Sequence, residues 1–227
     1  YYSEVKFNNE TLDSWQVYKT NNFYDVEGNY GPINCLISLR EELYYIQERA
    51  FGQLLVNPIT TISGDNGLPV TLGKGATVEK HRNLALDVGT KHQWSVYRSQ
   101  NAITWIDIRS KKIYMFDGTI KSISDSLGQR NFVIKRLHPD LILNDNPILK
   151  KGIITTYDHY HNEFLYTFTN DSATADNDEA YTLVYSEPVG KFTGLYSFTP
   201  PVYLNNNRYL LSIDPAAAGS DIGKIWV

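Results

Sequence analysis

The sequence is short of sulfur, of net positive charge and of long apolar runs, and each shortage excludes a class of function. Cys35 is the only cysteine, and a single methionine occurs among 227 residues. A lone thiol forms no internal disulfide and supplies no thiolate zinc site, so a disulfide-stapled scaffold and a zinc ribbon are both closed to this chain. The 21 basic residues stand against 25 acidic ones, a net charge of -4, and both kinds are spread along the chain. There is no electrostatic footprint for counterion-releasing contact with a polyphosphate, and no specific nucleic-acid binding is expected. No apolar run approaches the roughly 20 residues of a membrane-spanning helix, so no membrane insertion of that kind is expected. Also missing are a Gly-x-Ser-x-Gly nucleophile elbow and any Cys–His arrangement, which leaves nucleophilic catalysis without a candidate.

What is present favours sheet. The 17 Tyr, 9 Phe and 4 Trp pack well on a pleated surface, and hydrophobic residues at 42 % against 20 % charged place the chain among globular proteins. Its length suits one large β domain or two small ones. Residues 33–48 form two apolar runs around the polar Arg40-Glu41-Glu42, the shape of a short-loop hairpin. From Asn57 to Gly75 turn formers crowd together, which predicts an extended surface loop and a division into 1–75, a hairpin plus loop, and 76–227, the remaining strands. Strands are then predicted at Gln93–Tyr97, Ala102–Ile108 and Ile113–Phe116, a meander. A short helical turn follows, with Ser124 as N-cap and Gly128 as C-cap, before a loop-like stretch over 138–151.

The meander recurs. Ile154–Asp158, a turn at His159–Asn162 and Glu163–Phe168 match the earlier hairpin at an offset of 51 residues, with Asp158 on Asp107, Phe164 on Ile113 and Leu165 on Tyr114. Trp105, Ile113, Phe164 and Leu165 are therefore expected in the core. Further hairpins are read at Tyr181–Ser186, Phe192–Phe198 and Val202–Ile213. Short antiparallel strands repeating every 40 to 50 residues or so are the mark of propeller blades. The fold expected is an all-β, propeller-like array of short antiparallel strands and hairpins, with too few blades in view to close a ring.

Several short segments carry a further signal: Arg49–Pro58, Thr71–Gly75, His92–Val96, Thr104–Asp107, Ile113–Gly118, Ser124–Gly128 and Val184–Glu187. Together they make a chain that resembles, from about residue 33 to about 213, the large tail proteins of crAss-like bacteriophages known as muzzle or stabilization proteins. The resemblance implies a virion structural component made in the host cytoplasm. It would sit at the distal end of a short tail, help close the channel and retain the genome, with sibling subunits and other tail proteins as partners. It brings no catalytic residues. Members are much longer, and the opening Tyr1-Tyr2 and the apolar ending Lys224-Ile225-Trp226-Val227 are read as those of a piece of a longer polypeptide. The final strand and the Asn57–Gly75 segment are then expected to be covered by partner subunits or by other parts of that polypeptide.

No catalytic, cofactor-binding or metal-binding residue is assigned, and the candidates are weighed one by one. Asp158-His159-Tyr160-His161 sets two histidines on one strand face at ligand spacing, yet the repeat places them at a hairpin tip with no third ligand nearby. Asp107 and Asp158 could form a carboxylate pair, but a strand-terminal Asp accepting from the turn that follows explains both occurrences at once. Gly219–Trp226 resembles part of a sialidase-type Asp-box in a single copy, Leu72–Thr77 lacks the spacing of a phosphate loop, and Asp171–Glu179 lacks the glycine of an EF-hand. A virion structural module leads. A carbohydrate- or receptor-binding propeller follows, and a glycosidase comes third.

Overall fold

The computed structural model describes residues 1–4, 11, 13–57, 60–63, 69–72, 77–137, 140–169, 180–206, 208–213 and 224–226. Turn chemistry sets the first hairpin. Strands β1 (Ile33–Leu39) and β2 (Glu42–Gln47) pair antiparallel with Leu39 opposite Glu42, which leaves Arg40 and Glu41 to make the turn. Both have positive φ, 51° and 67°, the backbone of a type I′ turn, whose twist matches that of the strands it joins. Strand β3 (Ala50–Asn57) follows, then a two-stranded ribbon of β4 (Thr60–Ser63) and β5 (Pro69–Leu72), and β6 (Thr77–Leu86) returns beside β3. A ribbon thus stands where the sequence predicts an extended loop, because two β-branched runs flank the turn formers that dominate the composition there. The first sheet, in order β1-β2-β3-β6, draws strands from both sides of residue 75.

The second sheet is a meander of β7 (Tyr97–Arg98), β8 (Ile103–Asp107), β9 (Lys112–Phe116) and β10 (Ile120–Ser122). The strand expected from Gln93 is cut short, since Gln93–Ser95 take a 3-10 turn. Local bonds account for it. Thr90 Oγ1 accepts from His92 N (3.0 Å) and Ser95 Oγ donates to His92 O (2.8 Å), holding the backbone out of a ladder.

Three short helices follow: α1 (Ile123–Ser126), α2 (Arg130–Arg136) and α3 (Asp140–Leu143), the last lying where the sequence reads as loop. The N-cap of α1 is Ser122, not Ser124. Ser122 Oγ accepts from Asp125 N, while Ser124 is buried and its Oγ accepts from Ile113 N at 3.1 Å, tying the helix to β9. Gly128 lies one residue past the Leu127 cap with a left-handed φ of 73°, the place and conformation a glycine takes at a helix end. The third sheet runs in order through β11 (Ile153–Asp158), β12 (Glu163–Phe168), β13 (Tyr181–Ser186) and β14 (Lys191–Tyr196). The fourth sheet contains β15 (Val202–Asn205), β16 (Leu210–Ile213) and β17 (Ile225–Trp226).

Side chains alternate across each strand, so the two faces of a sheet are written into odd and even positions. In the second sheet both faces are apolar. Ile103, Trp105, Tyr114 and Phe116 pack on Leu39, Tyr44, Ile46 and Phe51 of the first sheet. Trp105 stacks on Phe51 with ring centroids 4.8 Å apart. From the opposite face Ile106, Ile113 and Met115 join Phe164, Tyr166 and Phe168 of the third sheet, with Val133 and Leu141 from the helices closing one end. Trp105, Ile113 and Phe164 are 0 % exposed and Leu165 is 1 % exposed, as expected of core residues. The opening strands of the sheets lie together: β11 neighbours both β7 and β15, and Arg98 of β7 donates to Ser38 O of β1 at 2.7 Å. The chain is an all-β, propeller-like array, with no closed ring among the described residues.

The offset of 51 residues has a narrower meaning than a blade period. It equates β8–β9 with β11–β12, but β8 is the second strand of its sheet and β11 the first of its own. One hairpin type recurs in two positions.

Left-handed backbone costs a non-glycine residue about 1–2 kcal/mol, and glycine gives back part of that gain as entropy lost on folding. Glu41→Gly should therefore stabilise the chain by about 0.5–1 kcal/mol. Urea unfolding of the variant beside the parent checks it, and a loss of stability would mean that Glu41 does more than turn the chain.

Candidate functional site

The two hairpins related by the offset end in the same device. Asp107 Oδ1 accepts from Arg109 N (2.9 Å) and Ser110 N (3.3 Å), and Asp158 Oδ1 accepts from Tyr160 N (2.8 Å) and His161 N (3.4 Å). The residues closing the turns, Lys111 and Asn162, have φ of 54° and 56°. Each carboxylate is turned back on its own hairpin. Asp107 is 1 % exposed in the second sheet while Asp158 borders a groove on the third. The arrangement serves the turns and offers no facing acid and base.

The two histidines of the second tip diverge. His159 lies edge-on to Tyr157, with centroids 5.0 Å apart, and borders a cleft between sheets. His161 borders the outer groove, with its Nδ1 2.6 Å from Asp158 Oδ2. No group of three His, Cys, Asp or Glu positioned to hold a metal occurs among the described residues. Residues 73–76, 170–179 and 214–223, which carry most of the phosphate-loop, acidic-loop and Asp-box candidates, lie outside the described residues. Ile225–Trp226, the end of that last candidate, pairs with β16.

The most developed polar constellation joins two sheets, and sequence reasoning missed it. Glu187 follows β13, and its carboxylate accepts from Ser99 Oγ (2.8 Å) with one oxygen and from Tyr157 OH (2.6 Å) with the other. Ser99 belongs to the β7–β8 turn, where its Oγ also accepts from Asn101 N and Ala102 N. Glu187 N donates to Asn162 O at 3.0 Å, which fixes the acid over the β11–β12 turn. Burial raises the pKa of Tyr157 above its ordinary value, and the bond to Glu187 adds to the effect. These groups border a cleft of about 1010 Å³ that also takes in Ile37, Tyr97, Arg98 and His159. Arg40 Nη2, in the β1–β2 turn of the first sheet, donates to Asn101 O at 3.2 Å. The only advance signal was Glu187 itself, a carboxylate just after an apolar strand.

A second contact belongs to the loops before and after the helices. His92 is 1 % exposed and its Nε2 lies 2.9 Å from Asn144 O, while Gln93 N donates to Asp145 Oδ2 at 3.0 Å. Burial raises the Asp145 pKa, opposed by the neighbouring His92 and by the bond from Gln93. The contact holds the 3-10 turn at Gln93–Ser95 against the segment that leads into β11.

Two outcomes are expected from these contacts. Ser99→Ala and Glu187→Ala should each cost about 1–3 kcal/mol, since either leaves a partly buried polar group unmet. A double-mutant cycle by urea unfolding should give a coupling of about 0.5–3 kcal/mol, and a coupling near zero would mean the joint holds nothing. The bond to Asp158 raises His161 above its ordinary 6.5. Its contribution is then complete below the unfolded value and is lost as pH rises through the raised folded value. His161 is largely exposed, so the parent should exceed His161→Gln by less than about 1 kcal/mol at pH 5.5, and by nothing at about pH 8.5. Equal stabilities at the lower pH would remove the ion pair from the account.

Residues 1–216 match the family model described as the Crassvirus muzzle protein. Among curated proteins the chain is similar to the muzzle protein of Bacteroides phage crAss001, at 25 % identity over 219 residues, which is 96 % of this chain and 14 % of that protein. The chain therefore spans about one seventh of the length of the curated relative it matches. With a match over nearly its whole length, it belongs to the Crassvirus muzzle protein family.

Proposed function

We propose that the chain is a non-enzymatic structural module of a phage virion, set in the tail, where it packs against sibling subunits and other tail proteins and helps close the channel and retain the genome. Membership of the muzzle family supports the virion role. The observation that carries the packing role is the apolar flank of the array. Tyr196 stacks on Phe198 at 5.2 Å beside a groove of about 590 Å³ bordered by Pro200, Tyr203 and Leu210. On or beside the same two sheets Leu195, Leu204, Tyr209 and Ile225 stand 46 %, 47 %, 47 % and 57 % exposed. Exposed apolar side chains of this kind, on the edge strands β14, β15 and β17 and beside them, are costly in water and are what another protein surface covers. The covering surface is a sibling subunit or another part of the same polypeptide.

Electron microscopy of assembled particles tests the proposal. Density for this chain is expected in a symmetric ring around the tail channel, with more than about 1,000 Å² lost to neighbours. Density in a peripheral fibre would favour a receptor-binding module instead. A particle in which the chain touches its neighbours over less than about 800 Å², the range of crystal packing, would overturn the packing role.

A further inference from the structure

The two ends of the array are finished differently. At one end the outward face of the first sheet is already covered. Tyr45 and Gln47 alternate with the core residues Tyr44 and Ile46, so they point away from the second sheet. Gln47 Nε2 donates to Glu27 O and Gly31 O, both at 2.8 Å, and Arg49 N donates to Tyr30 O. Tyr24 OH lies 2.9 Å from His81 Nδ1 on β6. Residues 24–31 thus lie over that face, and Tyr45 is fully buried. No further sheet stacks there while they do.

At the other end the fourth sheet is left open. Tyr203 OH lies 2.6 Å from Thr167 Oγ1 and Asn205 Nδ2 donates to Tyr157 O, which turns that side of β15 to the third sheet. Alternation and register then gather Val202, Leu204, Leu211, Ile213 and Ile225 on the far side, five aliphatic residues on one face. Leu204 and Ile225 are about half exposed. Like the second sheet, the fourth is apolar on both faces, but only one of them is packed. Its described residues and their turn include the exposed Arg208 and Lys224 and no acid.

The chain carries a surface of matching character before the covering segment. Residues 1–4 lie against residues 17–22, with Tyr2 N donating to Asn22 O and Glu4 N to Val17 O, both at 2.9 Å. On this arm Trp15, Tyr18 and Phe23 are exposed, and the Tyr1 ring lies 5.9 Å from that of Phe23. Glu4 pairs with Lys19 at 3.1 Å. The other charged side chains described up to Gly31 are the exposed Asp13, Asp25 and Glu27. Exposed Trp and Tyr ringed by acids suit an apolar face ringed by bases.

We propose that the outward face of the fourth sheet binds the N-terminal arm of a second copy of this chain, so that copies join head to tail. Two fourth sheets packed on each other would also bury aliphatic surface, but they would bring Arg208 and Lys224 of both copies together. The acidic arm meets those bases with opposite charge. Because two different surfaces meet, the contact is heterologous, and its repetition builds a ring or a filament. The inference rests on the packing role proposed above and names the surfaces that fulfil it.

Sedimentation equilibrium of the 227-residue chain at low ionic strength tests it. Self-association with a Kd below about 1 mM is expected, weakening as added salt screens the charges. Trp15→Ala on the arm and Leu204→Asp on the sheet should each weaken it by about tenfold or more. Both residues are exposed, so the variants should melt with the parent; should Leu204→Asp unfold, Ile225→Asp takes its place. An equimolar mixture of the two variants should form a one-to-one dimer at the parent's affinity and nothing larger, since Trp15→Ala keeps the sheet and Leu204→Asp keeps the arm. A mixture that stays monomeric, a single variant that associates like the parent, or a parent chain still monomeric at about 1 mM would overturn the proposal. A monomeric chain whose flank is nevertheless covered in the particle overturns this inference alone, whereas a flank bare in the particle overturns the packing role with it.

Discussion

The structure depends on the second sheet having no face for water. Ile103, Trp105, Tyr114 and Phe116 occupy one side and Ile106, Ile113 and Met115 the other, so the sheet is stable only between two others. At about 25 cal/mol per Å² of apolar surface removed from water, exposing either face would cost more than a domain's whole margin of stability. That requirement stacks the sheets face to face and brings their opening strands together. The clefts bordered by Glu187 and by Trp94 are consequences, lying on either side of Val96 and Tyr97, which border both.

Apolar faces attract without fixing an angle, and buried hydroxyls supply the direction. Tyr166 OH lies 2.7 Å from Thr104 Oγ1, whose own proton goes to Tyr114 O, and this joins the second and third sheets inside the core. A longer relay joins the third and fourth: Tyr203 OH, Thr167 Oγ1, Thr182 Oγ1 and Phe198 O follow one another at 2.6, 2.8 and 2.6 Å. Each bond needs its donor within a few tenths of an ångström, so sliding one sheet over the next would leave buried polar atoms unmet. Burial raises the Tyr166 pKa well above the ordinary phenol value, which keeps its proton in place as a donor.

Much of the fold was legible because hairpins are local. Period-two alternation, the polar Arg40-Glu41 turn and the strand-terminal Asp107 and Asp158 each act within a few residues, and the structure places all of them as turns. Features set by neighbours distant in the chain were not. Ser124 looks like a cap as good as Ser122, and only the approach of β9 takes its hydroxyl for Ile113 N. The 3-10 turn at Gln93–Ser95 is shaped by Thr90 and Ser95 nearby, but its place against Asp145, 52 residues away, is set by packing. The offset of 51 was real in chemistry and misleading in topology, because a hairpin carries no mark of its position within a sheet. The Glu187 joint was illegible for the same reason, since Ser99 and Tyr157 come near it only once the second and third sheets stack.

The division of labour between sequence and packing bears on what the module can do. Asp158 spends both carboxylate oxygens within its own hairpin, so the eye-catching Asp158-His159-Tyr160-His161 cluster has little left to offer a ligand. Trp94 borders a pocket only because a turn, the edge of β11 and a fourth sheet converge there, and it stands 48 % exposed. Glu187, also placed by packing, spends both oxygens on holding the second and third sheets together. In a scaffold of hairpins closed by local turns, the bonds between residues distant in the chain run along the seams between sheets, and those bonds fix how the sheets stack.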